Sequence, residues 1–252
     1  MIRVLLDVAT GEGGSAPERV RVERSERHHY LVHVLRVREG QALEVFDGRG
    51  NAWPARVESA TDEAVELSLG PSLQEREGRA CARRITVVQG LPKGDKLEWV
   101  IEKAVELGAS AILPVECARS VVKLDAQRAA KRVERWRKIA EEAARQCGRS
   151  DVPQVHEVVR LSRLTEALEA GTRVLVLDEE EQARRLSEAL PADSSEAVAF
   201  VVGPEGGLTR DEVSRLISEG GVPVSLGPLI LRTETAALAA LSVVRHRDGL
   251  LG

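Results

Sequence analysis

Aromatic residues are scarce. The 252 residues include two phenylalanines, one tyrosine and three tryptophans, so the core must be built from Val, Leu, Ile and Ala. Cysteine is scarce too. Cys81, Cys117 and Cys147 are odd in number and far apart, which excludes a disulfide framework and a paired zinc site and points to a reducing cytoplasm. Long hydrophobic runs are missing: the run at residues 197–202 stops after a strand's length, short of the ~18 to 20 residues of a membrane span. Met1 to Asp7 has no basic stretch followed by a long apolar core, so no secretory signal is expected there. A basic excess is absent as well, with a net charge of −4. The length suits one large domain, or a small one joined to a medium one, and either can bury a real core.

Residues 1–72 alternate apolar and polar residues in short runs: 19–22, 41–46, 52–57 and 64–69. Between the second and third lies Asp47-Gly48-Arg49-Gly50-Asn51, a hairpin signal because Asp-Gly accepts the positive φ of tight turns. A polar stretch from Pro71 to Arg84 reads as a linker. From Ile85 the pattern changes. Apolar runs at 85–89, 111–115, 174–178, 198–202 and 222–226 alternate with helical periodicity, which predicts a parallel sheet covered by helices on both faces.

Four helices are expected. The first is capped by Asp95 with Glu98, carries Leu97, Val100, Ile101, Ala104 and Leu107 on one stripe, and stops at Gly108. A second spans 127–147 and buries Val133, Trp136, Ala140, Ala143 and Cys147. A third opens on a Thr209/Glu212 capping box and ends at Gly220-Gly221. The last, 233–247, is so rich in Ala, Leu and Val that it must be deeply packed or lie at an oligomer interface.

Charge is unevenly spread. Between Glu116 and Ser150 ten bases face five acids, whereas Asp178 to Glu196 holds seven acids and only Arg184 and Arg185. The basic stretch suits phosphates, or equally a solvated helix face with i to i+4 ion pairs. Three segments follow predicted strands at the sheet edge where open α/β folds bind ligands: Leu177-Asp178-Glu179, Val202-Gly203-Pro204-Glu205-Gly206-Gly207-Leu208, and Leu226-Gly227 through Thr235. The middle one is neither a P-loop, which needs a following Lys, nor GxGxxG.

The segments Leu91-Pro92-Lys93-Gly94-Asp95-Lys96, Glu106-Leu107-Gly108, Arg119-Ser120, Gln146-Cys147-Gly148-Arg149, Val202 to Gly207, and Leu226-Gly227 with Ile230 to Ala236 together resemble the bacterial 16S ribosomal RNA (uracil-N3)-methyltransferase family. Arg27-His28-His29-Tyr30-Leu31, Val34-Leu35-Arg36 and the Asp47-Gly48 hairpin resemble its N-terminal module. The likeness runs in order along nearly the whole chain. It implies a PUA-like β-barrel RNA-binding domain at 1–72 and a SPOUT-type, trefoil-knotted methyltransferase domain at 73–252. It also implies S-adenosylmethionine as cofactor, 16S rRNA of the small ribosomal subunit as substrate, a homodimer and no membrane.

On that resemblance the cofactor-binding residues are Leu177, Gly203, Pro204, Glu205, Gly206, Gly207, Leu226, Gly227, Ile230, Leu231, Thr235 and Ala236. Arg232 is the candidate for stabilising negative charge on the uracil oxygens, and Glu205 the second candidate, as proton acceptor. Arg232 as a structural ion-pair partner and Glu205 as a helix N-terminal anion are the alternatives. Arg27, His28, His29, Arg36, Lys93, Lys96, Arg119 and Arg149 are the expected RNA contacts. His28, His29 and His33 lack carboxylate or cysteine partners at ligand spacing, so no metal is expected. Without stacking rings, RNA binding should rest on phosphate contacts and shape, with a steep salt dependence. Two rivals stay open: a SPOUT enzyme acting on another RNA or base, and a non-catalytic RNA-binding assembly factor.

Overall fold

Burial alternating with period two marks the early strands as a sheet with one covered face. The computed structural model describes residues 1–9, 17–73 and 83–252. The Gly11–Gly14 stretch, most of the expected linker and Cys81 lie outside the described residues. In the first unit β1 (Arg3–Leu5), β2 (Arg19–Glu23), β3 (Ala42–Phe46), β4 (Ala52–Ala60) and β5 (Ala64–Leu69) form a sheet in the order β1-β3-β4-β5-β2. A register shift between Val57 and Ser59 bulges β4 against β5, a device that bends a strand and curls its sheet. Val4, Leu43, Val45, Trp53, Val57, Val65 and Leu67 fill the covered face. The Asp47 carboxylate sets the β3–β4 hairpin by accepting from Arg49 N–H at 2.8 Å and Asn51 N–H at 3.1 Å.

Helix α1 (Glu26–His29) continues into a π-helical turn, Tyr30–Val34, whose Leu31 is fully buried. Residues 144–152 also group with this unit rather than with the second. Arg3 explains why: it pairs with Glu44 at 2.6 Å and donates to the Arg149 carbonyl at 2.9 Å.

The second unit contains β6 (Ile85–Gly90), α2 (Lys96–Glu106), β7 (Ala111–Glu116), most of α3 (Ala126–Cys147), β8 (Gln154–Val155), β9 (Val159–Arg160), α4 (Leu164–Ala167), β10 (Arg173–Leu177), α5 (Leu186–Ala189), β11 (Val198–Val202), α6 (Arg210–Ser218), β12 (Val222–Val224) and α7 (Thr233–Arg247). Its sheet runs β12-β10-β11-β6-β7-β8, with β9 also beside β7, and every pairing is parallel. Val88, Leu113, Val115, Val176, Ala199 and Val201 face Leu164 of α4 and Val213 and Leu216 of α6. On the other face α7 packs against β6, β11 and α2. The parallel sheet with helices on both faces is therefore present.

Helix α6 opens on the expected capping box, with both the Thr209 and Glu212 bonds made. Two local expectations fail. Asp95 sits before α2 but makes no side-chain cap bond, because at φ −99 and ψ 11 its backbone is not the extended one of a side-chain cap and its carbonyl takes the Glu98 N–H. Cys147 is only half-buried, while its neighbour Ala144 is fully covered.

Candidate active site

The loops after β10, β11 and β12 converge at the C-terminal edge of the parallel sheet, the edge where such sheets bind ligands. They enclose a cleft of about 380 Å³, within the range of small-molecule sites. Leu177, Gly203, Pro204, Glu205, Gly207, Leu226, Gly227, Ile230, Leu231 and Ala236 line it, as does Arg232. Gly206 and Thr235 do not. Gly206 instead faces Arg119, whose Cβ would lie 3.1 Å from an added Cβ.

The loop after β11 can follow its path only with glycine. A Cβ on Gly203 would lie 2.9 Å from the Gly207 carbonyl carbon and the Leu208 nitrogen, and Gly207 takes φ +70, a region open to glycine at little cost. A buried relay ties this loop to α7. The Thr233 hydroxyl donates to the Gly203 carbonyl and accepts from Gln89 Nε2 at 2.7 Å. Gln89 Oε1 is buried without a hydrogen-bond partner among the described residues, so the relay is held from one side of the amide only.

Most charges at the cleft are already paired. Lys96 Nζ lies 3.0 Å from Glu205 and 3.5 Å from Glu234 Oε2; the second is an ion-pair distance, and that oxygen makes no hydrogen bond. The Glu205 hydrogen bond is the main cause of a raised Lys96 pKa. Partial burial pushes the Glu205 carboxyl up, but the N–H groups of Glu205 and Lys93 and the Lys96 ammonium outweigh it, leaving Glu205 below the usual glutamate value. Arg210 forks onto Asp178 at 2.7 and 2.9 Å; this bond, aided by the Glu180 N–H, holds Asp178 below the usual aspartate value despite its burial. Arg232 differs. Its exposed guanidinium makes no hydrogen bond or ion pair with any described residue, and it stands where α7 begins.

The expected RNA contacts separate into two sets. Arg27, His28, His29, Arg36 and Arg149 belong to the first unit and Lys93, Lys96 and Arg119 to the second. Two of them are corrected by burial. His28 is 4% exposed with its ring nitrogen on the Thr61 carbonyl, and Arg149 is 8% exposed and clamped on Asp151, so neither presents its charge or donors to solvent. His29 is exposed and packs its ring against His33, centroids 4.7 Å apart. Arg36 is exposed and, at φ 51, is the one non-glycine among the described residues with positive φ. Strain of that kind gathers at functional positions. Lys93 is exposed. Arg119 is also exposed, but it spends one nitrogen on the Gly206 carbonyl at 2.8 Å, fixing the glycine loop.

Sequence reasoning does not single out Gln89, Thr233, Asp178 or Arg210 as site residues. Gln89 leaves one legible trace, a polar side chain near the end of an apolar strand. The Asp178–Arg210 fork joins residues 32 positions apart and leaves none.

Comparison with known proteins places this geometry in a family. Residues 79–245 match the model of an RNA methyltransferase domain and residues 24–70 that of an RNA methyltransferase PUA domain. Ribosomal RNA small subunit methyltransferase E of Bacillus subtilis is 40% identical over 233 residues, covering 90% of each chain. Its counterpart from Mycobacterium tuberculosis is 37% identical over 229 residues, covering 89% of this chain and 86% of that one. The crystal structure of ribosomal RNA small subunit methyltransferase E from Neisseria gonorrhoeae, bound to S-adenosyl methionine, superposes with a TM-score of 0.84 at 31% identity over 98% of both chains. With a curled sheet ahead of a parallel one, a glycine-lined cleft at the sheet edge and this likeness over nearly its full length, the chain belongs to the ribosomal RNA small subunit methyltransferase E family of RNA methyltransferases.

Proposed function

We propose that this chain methylates ring nitrogen 3 of one uridine in the 16S ribosomal RNA of the small subunit, with S-adenosylmethionine as donor. The observation that carries the reading is the glycine-walled cleft with one cation at its rim, Arg232, uncommitted among the described residues. The cleft suits a cationic sulfonium: four carboxylates line it against three cations, and Lys96 and Arg210 are already paired. Leu177, Gly203, Gly207, Leu226, Gly227, Ile230 and Leu231 would hold the donor, with apolar walls and backbone groups for an adenine. S-adenosylmethionine, when bound, supplies the electrophilic methyl group.

The chain's own residues act on the acceptor. Ring nitrogen 3 of uracil must lose its proton before its electron pair can attack, and the charge then spreads onto the two ring oxygens. Arg232 donates hydrogen bonds to that developing oxyanion, which favours loss of the proton to water. Glu205 already accepts from Lys93 N–H and Lys96, and a carboxylate so occupied is a poor proton acceptor. Its role is to hold the loop after β6 against the loop after β11.

Residues 1–72 serve as the RNA-binding module and 73–252 as the catalytic domain. Arg27, His29, Arg36, Lys93 and Arg119 meet RNA phosphates, whereas Lys96 is taken up by Glu205 and Glu234. The enzyme works in the cytoplasm as a homodimer joined through α7 and the basic helix α3; the Ala-, Leu- and Val-rich middle of α7, whose Val243 is 37% exposed, supports such a contact. A threaded path for the last strand and helix fits the insertion of β11 between β6 and β10, with α7 returning onto β6 and β11.

Mass spectrometry of ribosomal RNA from a deletion strain tests the reading. One methylated uridine disappears and returns on complementation; an unchanged nucleoside profile overturns it.

A further inference from the structure

A second cavity, of about 420 Å³, opens on the other side of the stretch that follows the glycine loop. Leu208 and Arg210 face the cofactor cleft, whereas Asp211, Glu212 and Leu216 face this cavity. The opposite wall comes from the end of β7 and from β9. The two walls are pinned together: Ala118 N–H donates to Glu212 Oε1 at 2.7 Å, and Arg119 reaches the Gly206 carbonyl at 2.8 Å. The floor is apolar, built from Cys117, Leu161 and Leu216. Burial, joined by the Glu212 and Glu116 charges, pushes the Cys117 thiol up to about 12, so it stays neutral and acts as wall rather than nucleophile.

Of the six charged residues around this floor, Glu212 and Arg215 are engaged, Arg215 with Glu219 and the Ser162 carbonyl, and the other four are unspent. Glu116 and Asp211 side chains accept no hydrogen bond, and Lys123 and Arg160 side chains donate none, to any described residue; the two cations are exposed. A slot with apolar walls, one half-buried free carboxylate, Glu116, and free cations at its surface matches a nucleotide. The base lies against Leu161 and Leu216, its amino hydrogens go to Glu116, and its phosphate meets Lys123 and Arg160. Carboxylates repel phosphate and accept from amino groups, so the base enters and the phosphate stays outside. A protein with so few exposed rings has little to stack an unpaired base upon, and an apolar slot supplies that contact another way.

Resting on the methyltransferase reading above, we propose that this cavity is a second RNA subsite, which receives an unpaired nucleotide with an amino-bearing base next to the target uridine. Enzymes that act on a base draw it out of its stack. A neighbour seated on the far side of residues 208–212 holds the strand open while the target occupies the cleft.

The test uses full-length enzyme, S-adenosylmethionine and small ribosomal subunits from the deletion strain, with methyl transfer followed by radiolabel. Arg160→Ala and Lys123→Ala each raise KM for the subunit by about tenfold and lower the salt slope of binding by about one. Both leave kcat and the calorimetric Kd for S-adenosylmethionine unchanged, and Arg160→Lys restores most of the loss. Glu116→Gln raises KM without changing the salt slope. Ser162→Trp, on an exposed lining residue, fills the cavity without removing a charge and raises KM as well. Wild-type KM and salt slope in these variants, with cofactor binding intact, overturn the subsite. Failure of the wild-type enzyme to methylate the subunits overturns instead the function on which it rests.

Discussion

The two edges of the parallel sheet use arginine in opposite ways. At the N-terminal edge Arg83, 1% exposed, donates to the carbonyls of Pro191, Asp193 and Glu196 at 2.9 to 3.1 Å and lies 3.4 Å from Asp248. Arg245, 6% exposed, donates to the Arg83 and Gly108 carbonyls. These guanidinium groups have their donors engaged, and what they hold together is chain that would otherwise leave buried carbonyls unpaired. At the C-terminal edge the Arg232 side chain holds no described residue, while its neighbours Lys96 and Arg210 are neutralised by carboxylates. A guanidinium's role is thus legible in what its N–H groups already hold. Spent donors stabilise the fold, and free donors beside a cleft wait for a ligand.

The largest break in that contrast comes from Arg83→Met. Removing the cation leaves the buried Asp248 carboxylate without its partner and three carbonyls without their donor, a loss of about 3–5 kcal/mol by analogy with severed buried pairs. Thermal unfolding should show a melting point lower by roughly 10 °C. A variant that melts with the wild type removes Arg83 from the list of staples.

Arg232→Ala is the mirror experiment. Stability should stay within about 0.5 kcal/mol, as for exposed positions without partners, while kcat falls by about 10²–10³, the cost of losing one oxyanion donor. Calorimetry with S-adenosylmethionine should give an unchanged Kd. Full turnover in this variant would assign the charge stabilisation to another group.

Thr233→Val lies between the two. It keeps the side-chain shape and removes the hydroxyl that joins Gln89 to the Gly203 carbonyl, leaving that carbonyl without this donor and Gln89 Nε2 with only the Gly90 carbonyl, at a cost of about 1–3 kcal/mol. Because the freed carbonyl belongs to the cleft wall, the variant should lose both melting temperature and cofactor affinity. Loss of stability alone would make the relay a fold element with no part in shaping the site.

Much of this contrast was legible in the sequence, and the part that was not has a physical reason. β11 was read at its observed limits because five consecutive apolar residues, buried on both faces, stand out from any neighbour. The Thr209/Glu212 capping box was read because both of its bonds span three residues. The cleft loops were found through the family resemblance and through their place after predicted strands. Interactions formed across long separations were invisible: Arg3 drawing residues 144–152 into the first unit, and Arg83 reaching carbonyls more than a hundred positions away. His28 and Arg149 looked like RNA contacts because residue type reveals charge and not burial. Asp95 fails as a side-chain cap because its backbone leaves the extended region, a torsion that residue type does not reveal.

The smallest expected effect concerns acid. Glu205 and Asp178 both have folded pKa values below their ordinary ones, 4.5 and 3.8, so each binds its proton more weakly in the folded state than in the unfolded chain. Their contribution to stability is fully present above those ordinary values and is lost as pH falls through the depressed folded ones. Glu205→Gln cannot titrate. The stability gap between wild type and this variant should be constant from neutral pH down to about 4.5 and close below it, as read by urea unfolding at a series of acid pH values. Asp178→Asn should behave alike, with the closing displaced to lower pH. Asp178 also gains the closer contact, a two-pronged Arg210 fork on a carboxylate only 6% exposed, so its gap above the transition should be the wider. Glu205, at 29% exposure and facing a lysine, is more screened by solvent. If the gap for Glu205→Gln stayed constant through the acid range, the carboxylate would be titrating as it does in the unfolded chain, and the argument that its occupied oxygens make it a poor proton acceptor would lose its footing.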